Sequence, residues 1–191
     1  MLQTDGSGNL SFVDAPSGAL NFISETSTTS SHSGVDLNNI FTSTYENYLI
    51  LGDITVSNSG DTIRARMRDS GGSLTGTEYT YRFQRYDSDS NTSDNTTRSS
   101  NDTYFQLTEG VNNDTGRLSY TFKIHIFNPV TTATRMGLRQ ESIAVSTGAV
   151  QQSIEGAGQY KGNTSITGIG FYPSSNNFSN SHFRVYGYQN S

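Results

Sequence analysis

The chain has 191 residues, of which only 31% are apolar, and a formal net charge of −5. The acidic balance argues against wrapping nucleic acid and against binding an anionic membrane surface. The absence of cysteine excludes disulfides, thiol nucleophiles and cysteine metal sites. Polar residues are mainly Ser, Thr, Asn and Gly, while 11 Tyr and 10 Phe supply apolar bulk for a core. This composition is typical of a β-rich extracellular or virion protein.

The first segment, Leu2 to Phe12, is a short polar unit with a turn in its middle. Asp5-Gly6 and Gly8-Asn9 supply residues that accept a positive φ, and Leu10 alternates with Phe12 as one face of a strand. A hairpin this small is not stable alone in water, because no second layer covers its apolar face. We therefore expect residues 1–34 to form an extended N-terminal arm that serves assembly or attachment.

The apolar residues of this arm are spaced as in short strands. In a monomer they would face water, and the arm would be a flexible chain. We favour packing of the arm on neighbouring copies, which predicts a homotrimer. The predicted assembly contacts are Leu10, Phe12, Leu20, Phe22 and Ile23.

Residues 35–191 form the second predicted unit, a domain with strand signals at regular intervals and no helical periodicity. Alternation is strongest from Leu118 to Ile126, and Asn128-Pro129 ends that strand. Asp87 to Asp102 is a tract of Ser, Asn, Asp and Thr that we interpret as a loop. The predicted strands are 48–56, 62–68, 78–86, 104–107, 118–126, 135–138, 142–146, 150–154, 165–172 and 182–188. Together they predict an all-β fold, an antiparallel β-sandwich of jelly-roll type.

Two parts of the chain resemble phage virion structural proteins of the tail-fibre and spike kind. The LQTDGSGNLSF unit at 2–12 is similar to one that recurs in such proteins, particularly in marine phages. The body resembles a terminal domain of these proteins, although the usual tryptophan before the penultimate strand is absent. Its matching motifs are STYENYLIL (43–51), TIRARM (62–67) with YTY (79–81), FNP (127–129) and NFSNSHFRVYGY (177–188). The resemblance implies a virion component and leaves its position in the particle open.

The first residues lack the basic and apolar regions of a secretory signal peptide. An extracellular type of composition without an export signal is typical of a lytic virus, whose particles assemble in the host cytoplasm. Alternatively, Met1 begins a piece of a longer protein. No segment of the sequence reads as a transmembrane span, so we expect no membrane insertion.

The sequence contains no recognisable catalytic motif. His32, His125 and His182 lie far apart and lack metal-ligand spacing. Carboxylates for glycan cleavage can be brought together by folding, but the candidates occur in ordinary strand contexts: Asp53, Glu78, Glu141 and Glu155. Residues 87–95 offer oxygens at alternating positions, yet they lack the glycine and the glutamate of a calcium loop. We expect no enzyme activity, no cofactor and no metal site.

The predicted strand 62–68 places three arginines on one face. Like charges on one sheet face repel each other unless an opposite charge lies nearby. Three sources remain open: a carboxylate of the same chain such as Glu78, an acidic group of a neighbouring subunit, or an anionic glycan of the host surface. Tyrosines add flat contact area at a small entropy cost. The candidate recognition residues are Arg64, Arg66, Arg68, Tyr86 and Tyr104.

These observations lead to two hypotheses for the function. The first is a tail-fibre or spike module that attaches the virion to the host surface, with a host glycan or protein as receptor. The second is a capsid decoration, cement or head-fibre protein, with other virion proteins as its partners. The N-terminal unit favours the first hypothesis.

Overall fold

The computed structural model describes residues 2–4, 10–12, 20–88, 95–113, 120–147 and 149–189. These residues form fifteen strands and no helix, which confirms the predicted all-β class. The strands are β1 (Leu2–Thr4), β2 (Leu10–Phe12), β3 (Leu20–Thr28), β4 (Val35–Leu37), β5 (Asn47–Val56), β6 (Ile63–Asp69), β7 (Gly72–Ser73), β8 (Tyr79–Asp87), β9 (Asn95–Asp102), β10 (Phe105–Gln106), β11 (Tyr120–Phe127), β12 (Met136–Val145), β13 (Gln151–Tyr160), β14 (Gly168–Pro173) and β15 (Phe178–Tyr188).

Two antiparallel sheets pack face to face as a β-sandwich. The large sheet has the strand order β3-β15-β5-β11-β12-β13-β8-β9. The small sheet has the order β10-β6-β14-β4, with β7 paired to β6, and β1 and β2 form a separate hairpin. Side chains alternate along most strands, so each sheet has an inner face towards the other sheet and an outer face towards solvent.

Aromatic rings fill the space between the sheets. Phe171 of the small sheet lies between two rings of the large sheet, with centroids 5.4 Å from Phe122 and 4.9 Å from Phe183. At the other end of the core, Tyr79 contacts Phe105 edge to face at 4.9 Å. The hydroxyl of Tyr79 accepts a hydrogen bond from the backbone N–H of Met67, which joins β8 to β6 across the core. The predicted aromatic core is therefore present.

Two glycines on inner faces make room for these rings. The ring of Phe122 occupies the position that a side chain at Gly52 would take. A Cβ at Gly158 would lie 2.6 Å from the ring of Phe105 and 3.1 Å from the carbonyl oxygen of Thr80. The sequence predicts that this strand ends at Ile154, but β13 continues to Tyr160 because its glycines allow close approach of the opposite sheet.

The prediction that 87–102 is a loop is wrong for its second half. Residues 95–102 form β9, an edge strand that pairs with β8. An edge strand needs backbone partners on one side only, and exposed Thr and Ser side chains suffice where no opposite sheet covers them. Residues 89–94, with most of the tract considered for calcium, lie outside the described residues.

The two strands predicted at 135–138 and 142–146 are one strand, β12. The apolar alternation is interrupted because Gln140 faces the core, where it is buried. Its side-chain N–H donates to the carbonyl oxygen of Leu107 at 2.9 Å, and its oxygen accepts from the Tyr120 hydroxyl at 3.3 Å. A buried amide with both groups satisfied is compatible with a central strand.

β3 lies within the predicted arm of residues 1–34 and forms the second edge of the large sheet. It pairs with β15 from Leu20 opposite Tyr188 to Thr28 opposite Ser181. Residues 20–28 are thus continuous with the sandwich. The role of the arm in assembly stays a prediction.

Candidate binding face

The strand β6 presents its three arginines as the alternation predicts. Ile63, Ala65 and Met67 are completely buried, so the residues between them point to the outer face of the small sheet. Tyr104 joins them there, because it precedes β10, which pairs with β6. We call this surface the arginine face and define it by Asp36, Arg64, Arg66, Arg68, Tyr104, Gly170 and Tyr172. Tyr86 lies elsewhere, 43% exposed on β8 of the large sheet.

Arg68 is neutralised within the chain. Its Nη1 lies 2.9 Å from a carboxylate oxygen of Asp36, and its Nε donates to the side-chain oxygen of Asn38 at 2.8 Å. The carboxylate suggested from the sequence, Glu78, forms no ion pair among the residues that the structure describes. A carboxylate of the same chain, Asp36 on β4, therefore neutralises one of the three arginines.

Arg64 and Arg66 are held by aromatic rings instead. The guanidinium of Arg64 lies 4.3 Å from the ring centroid of Tyr104, and that of Arg66 lies 4.8 Å from the ring centroid of Tyr172. Arg66 also donates from Nε to the carbonyl oxygen of Thr103 at 3.0 Å. Such cation–π contacts contribute roughly 0.5–1 kcal/mol at exposed sites. In the described part of the chain, no carboxylate lies within 4.0 Å of either guanidinium.

Two polar atoms of this face have no hydrogen-bond partner among the described residues. The Nε of Arg64 and the hydroxyl of Tyr172 are both buried without a hydrogen bond in the structure. Tyr172 lies directly opposite Arg64 in the β14–β6 register. Burial raises the pKa of the Tyr172 phenol more than the nearby Arg66 and Arg64 lower it, so the hydroxyl stays protonated at neutral pH.

A depression of about 260 Å³ opens beside Arg66, whereas Arg64 and Tyr104 lie outside its lining. Its floor is Gly170, where a Cβ would approach a carboxylate oxygen of Asp36 to 2.6 Å. Ser33 and Ser73 line it together with Arg66, Arg68 and Tyr172. The depression therefore combines cationic donors, hydroxyls, one carboxylate and an aromatic ring.

The predicted assembly residues are divided among several positions. Leu20 and Phe22 are 46% and 59% exposed on β3, and the Phe22 ring contacts Tyr186 at 5.8 Å. Ile23 is partly buried and packs against the core of its own chain. Leu10 and Phe12 lie on β2, opposite Thr4 and Leu2, and their side chains lie outside the described residues.

The exposed arm residues belong to a larger surface on the outer face of the large sheet. We call it the aromatic patch and define it by Leu20, Phe22, Phe127, Tyr186 and Tyr188. His125 connects its members, with ring centroids 6.2 Å from Phe127 and 6.0 Å from Tyr188. Its Nδ1 lies 3.0 Å from the hydroxyl of Tyr188.

The remaining histidines have local partners. His182 Nε2 lies 2.5 Å from a carboxylate oxygen of Glu25. His32 lies with Nδ1 2.6 Å from the carbonyl oxygen of Ser30 and Nε2 2.9 Å from the hydroxyl of Ser181. Within the described residues, no group of three or more His, Asp or Glu side chains is placed to hold a metal ion.

Three of the four candidate catalytic carboxylates line one open depression of about 540 Å³ on the outer face of the large sheet: Asp53, Glu141 and Glu155. Glu141 lies opposite Glu155 in the β12–β13 register, and Lys123 lies 2.8 Å from Glu141. The hydrogen bond from Lys123 holds the pKa of Glu141 below its ordinary value. A general acid for glycan cleavage needs a raised pKa. The lowered pKa of Glu141 is the opposite of what that role requires.

No protein-family model, curated protein or solved structure matches this chain. The residues that the structure describes include no helix that is long and apolar enough to cross a membrane. The sequence alone did not identify Asp36 as part of the site, and it did not place Tyr172 beside the arginines. Only the pairing of β6 with β14, and of β14 with β4, brings these two residues beside the arginines.

Proposed function

We propose that the chain is a structural protein of a phage virion, a tail-fibre or spike module that attaches the particle to the host surface. The observation that carries the proposal is the pair of arginines stacked on tyrosine rings without a carboxylate partner among the described residues. Binding sites of this kind work best on rigid elements, and this one lies on the paired strands β6 and β14. The resemblance of residues 2–12 and of the body to tail-fibre and spike proteins supports the same setting.

In this proposal the protein assembles in the host cytoplasm, works in the virion and contacts other virion proteins. It is not an enzyme and uses no cofactor. The sandwich is of jelly-roll type, which is supported by the pairing of the late strands β14 and β15 with the early strands β4, β5 and β6. The protein also forms a homotrimer, which is supported by the exposure of Leu20 and Phe22 in the aromatic patch.

Immunogold labelling of the intact particle tests the proposed function. Antibodies raised against the folded protein are applied to particles of the virus that encodes it and imaged by electron microscopy. Label at the tail is the expected result. Label on the capsid would refute the attachment module and favour the decoration or head-fibre hypothesis. Particles without any label would contradict both hypotheses.

Sedimentation equilibrium of the purified chain tests the trimer. We expect a mass three times the 20.8 kDa of one chain. Replacing Leu20 and Phe22 with serine should shift the protein to monomers, because both exposed apolar side chains would lose their favourable burial. The Thr26→Ser substitution on the same strand is the control and should leave the mass of the oligomer unchanged. A wild-type protein that sediments as a monomer at micromolar concentration would refute the homotrimer.

A further inference from the structure

We propose that the arginine face binds the anionic groups of an acidic polysaccharide, with Arg64 and Arg66 as the anion contacts. The inference rests on the proposed function, because it names the class of host-surface molecule that the attachment module recognises. It is argued from the charge, the geometry and the lining of this one surface.

The charge balance is local and runs against the charge of the whole chain. The chain carries a net charge of −5, yet no described carboxylate pairs with Arg64 or Arg66. Neighbouring like charges on one sheet face are unfavourable unless an anion lies between or beside them. A carboxylate, sulfate or phosphate group of a ligand would supply that anion, and arginine can contact such groups through two hydrogen bonds.

Stacking prepares the two guanidinium groups for such contacts. A ring that lies against the face of a guanidinium leaves the N–H groups at its edge free for hydrogen bonds. Apart from the bond from Arg66 Nε to Thr103, no hydrogen bond within the described residues uses the guanidinium nitrogens of Arg64 or Arg66. The rings of Tyr104 and Tyr172 restrict both side chains, so little conformational entropy remains to be lost on binding.

The lining of the depression favours a sugar over other anionic ligands. Its volume of about 260 Å³ lies just below the usual range of small-ligand sites, which suits a single sugar unit better than a folded partner. Ser33 and Ser73 can exchange hydrogen bonds with sugar hydroxyls. Asp36 is 51% exposed and offers acceptor capacity beyond its contact with Arg68.

A nucleic acid fits this surface less well. Nucleic-acid sites use broad basic surfaces that neutralise many phosphates. Here only two arginines lack a carboxylate partner among the described residues, because Arg68 is already paired with Asp36.

Isothermal titration calorimetry with defined polymers tests the proposal. The purified protein is titrated with dextran sulfate, polygalacturonate, neutral dextran and single-stranded oligo-dT at moderate salt. We expect binding of dextran sulfate, polygalacturonate or both, and the comparison distinguishes sulfate from carboxylate as the preferred anion. Neutral dextran should not bind detectably. Binding of oligo-dT as tightly as the better acidic polysaccharide would overturn the proposal, and so would failure to bind either acidic polysaccharide.

A matched pair of double variants locates the site. Replacing Arg64 and Arg66 with glutamine should weaken binding of the better polymer by at least about tenfold, because two charge-assisted contacts are lost. Arg82 and Arg139 lie on the outer face of the large sheet. Replacing both with glutamine removes the same charge and should change affinity less than about twofold. Thermal melting confirms that both proteins fold. Equal losses in the two variants would refute the arginine face as the site.

The two proposals can fail separately. Polysaccharide binding that depends on Arg64 and Arg66, in a protein that antibodies do not find on any particle, would keep the inference and remove the virion function. Tail labelling by a protein that binds none of the acidic polymers would do the reverse.

Discussion

The outer faces of the two sheets balance positive charge in different ways. On the large sheet, two cations lie beside carboxylates of the neighbouring strand. Lys123 is 2.8 Å from Glu141, its direct partner in the β11–β12 register. Arg184 is 3.2 Å from Glu25, its direct partner in the β15–β3 register. Cross-strand pairing thus matches these two cations with a carboxylate, whereas Arg82 lies opposite Arg98 in the β8–β9 register.

On the small sheet, the pairing of β14 with β6 places no carboxylate directly opposite an arginine of β6. The residues of β14 opposite Arg68, Arg66 and Arg64 are Gly168, Gly170 and Tyr172. Only Arg68 reaches further, to Asp36 on β4. The comparison shows that net charge does not determine the charge of a surface. The residues that strand pairing brings near each cation do, so an acidic chain can carry a cationic face.

The largest expected effect follows from disturbing the support beneath the arginine face. The Gly158→Ala substitution places a methyl group 2.6 Å from the ring of Phe105, which directly follows Tyr104. We expect the free energy of unfolding to fall by about 2 kcal/mol, because both the ring and the nearby carbonyl oxygen of Thr80 resist displacement. Urea denaturation measures it.

Gly110→Ala is the control for that substitution, since the nearest atom to its Cβ would be 3.8 Å away. Its free energy of unfolding should change by less than about 0.5 kcal/mol.

In the Gly158→Ala protein, the displacement of Phe105 should also move Tyr104 away from Arg64, and dextran sulfate binding should then weaken. A Gly158→Ala protein as stable as the wild type would contradict the packing described.

An intermediate effect separates the two faces directly. Tyr172→Leu removes the ring that holds Arg66, whereas Tyr186→Leu removes a ring of the aromatic patch that contacts Phe22. We expect the first to lower the free energy of unfolding by about 1–2 kcal/mol and the second by about 0.5–1 kcal/mol, because only the first also leaves a cation without its partner. Differential scanning calorimetry compares them. Equal effects would mean that the cation adds nothing to the ring on the small sheet.

The smallest expected effect is a pH dependence confined to the large sheet. Burial, with help from the charge of Lys123, lowers the pKa of His125 below its ordinary value of 6.5. The unfolded chain therefore binds the proton more readily, and stability falls as pH decreases through about 6.5. We expect a loss below about 1 kcal/mol in urea denaturation, because the ring is only half-buried.

The His125→Gln variant should lose that part of the pH dependence. The arginine face contains no histidine, so dextran sulfate affinity should not show a step at this pH. A stability that rises as pH decreases from 7 to 5.5, and does so only when His125 is present, would reverse the sign argued here.

The sequence predicted those strands whose apolar residues alternate without interruption, such as β6, β8 and β11. It failed where another physical factor replaced that pattern. β9 is an edge strand without an apolar face, Gln140 is a satisfied polar residue inside β12, and Gly158 ends the apparent pattern of β13 although it lies over Phe105. In each case the missing information is what the opposite sheet or the adjacent strand supplies.

The candidate site, like the fold, could be predicted only in part from the sequence. The alternation in 62–68 places Arg64, Arg66 and Arg68 on one face, and the structure agrees. Which of them is neutralised depends on Asp36 and Tyr172, and these reach β6 only through the pairing of strands that are distant in the sequence. The sequence groups Tyr86 with the arginines because tyrosine offers flat contact area at a small entropy cost, but Tyr86 lies on the other sheet.

The position of β15 between β3 and β5 has a consequence for biosynthesis. Within the described residues, β3 pairs with β15 alone, which occupies residues 178–188. A nascent chain therefore holds an unpaired strand and an incomplete sheet until the ribosome has released residues up to Tyr188. Contacts between such distant segments make folding slow, and exposed strand edges promote aggregation while it lasts. We expect that ribosome-bound chains stopped before residue 178 are digested by protease, whereas released chains resist it.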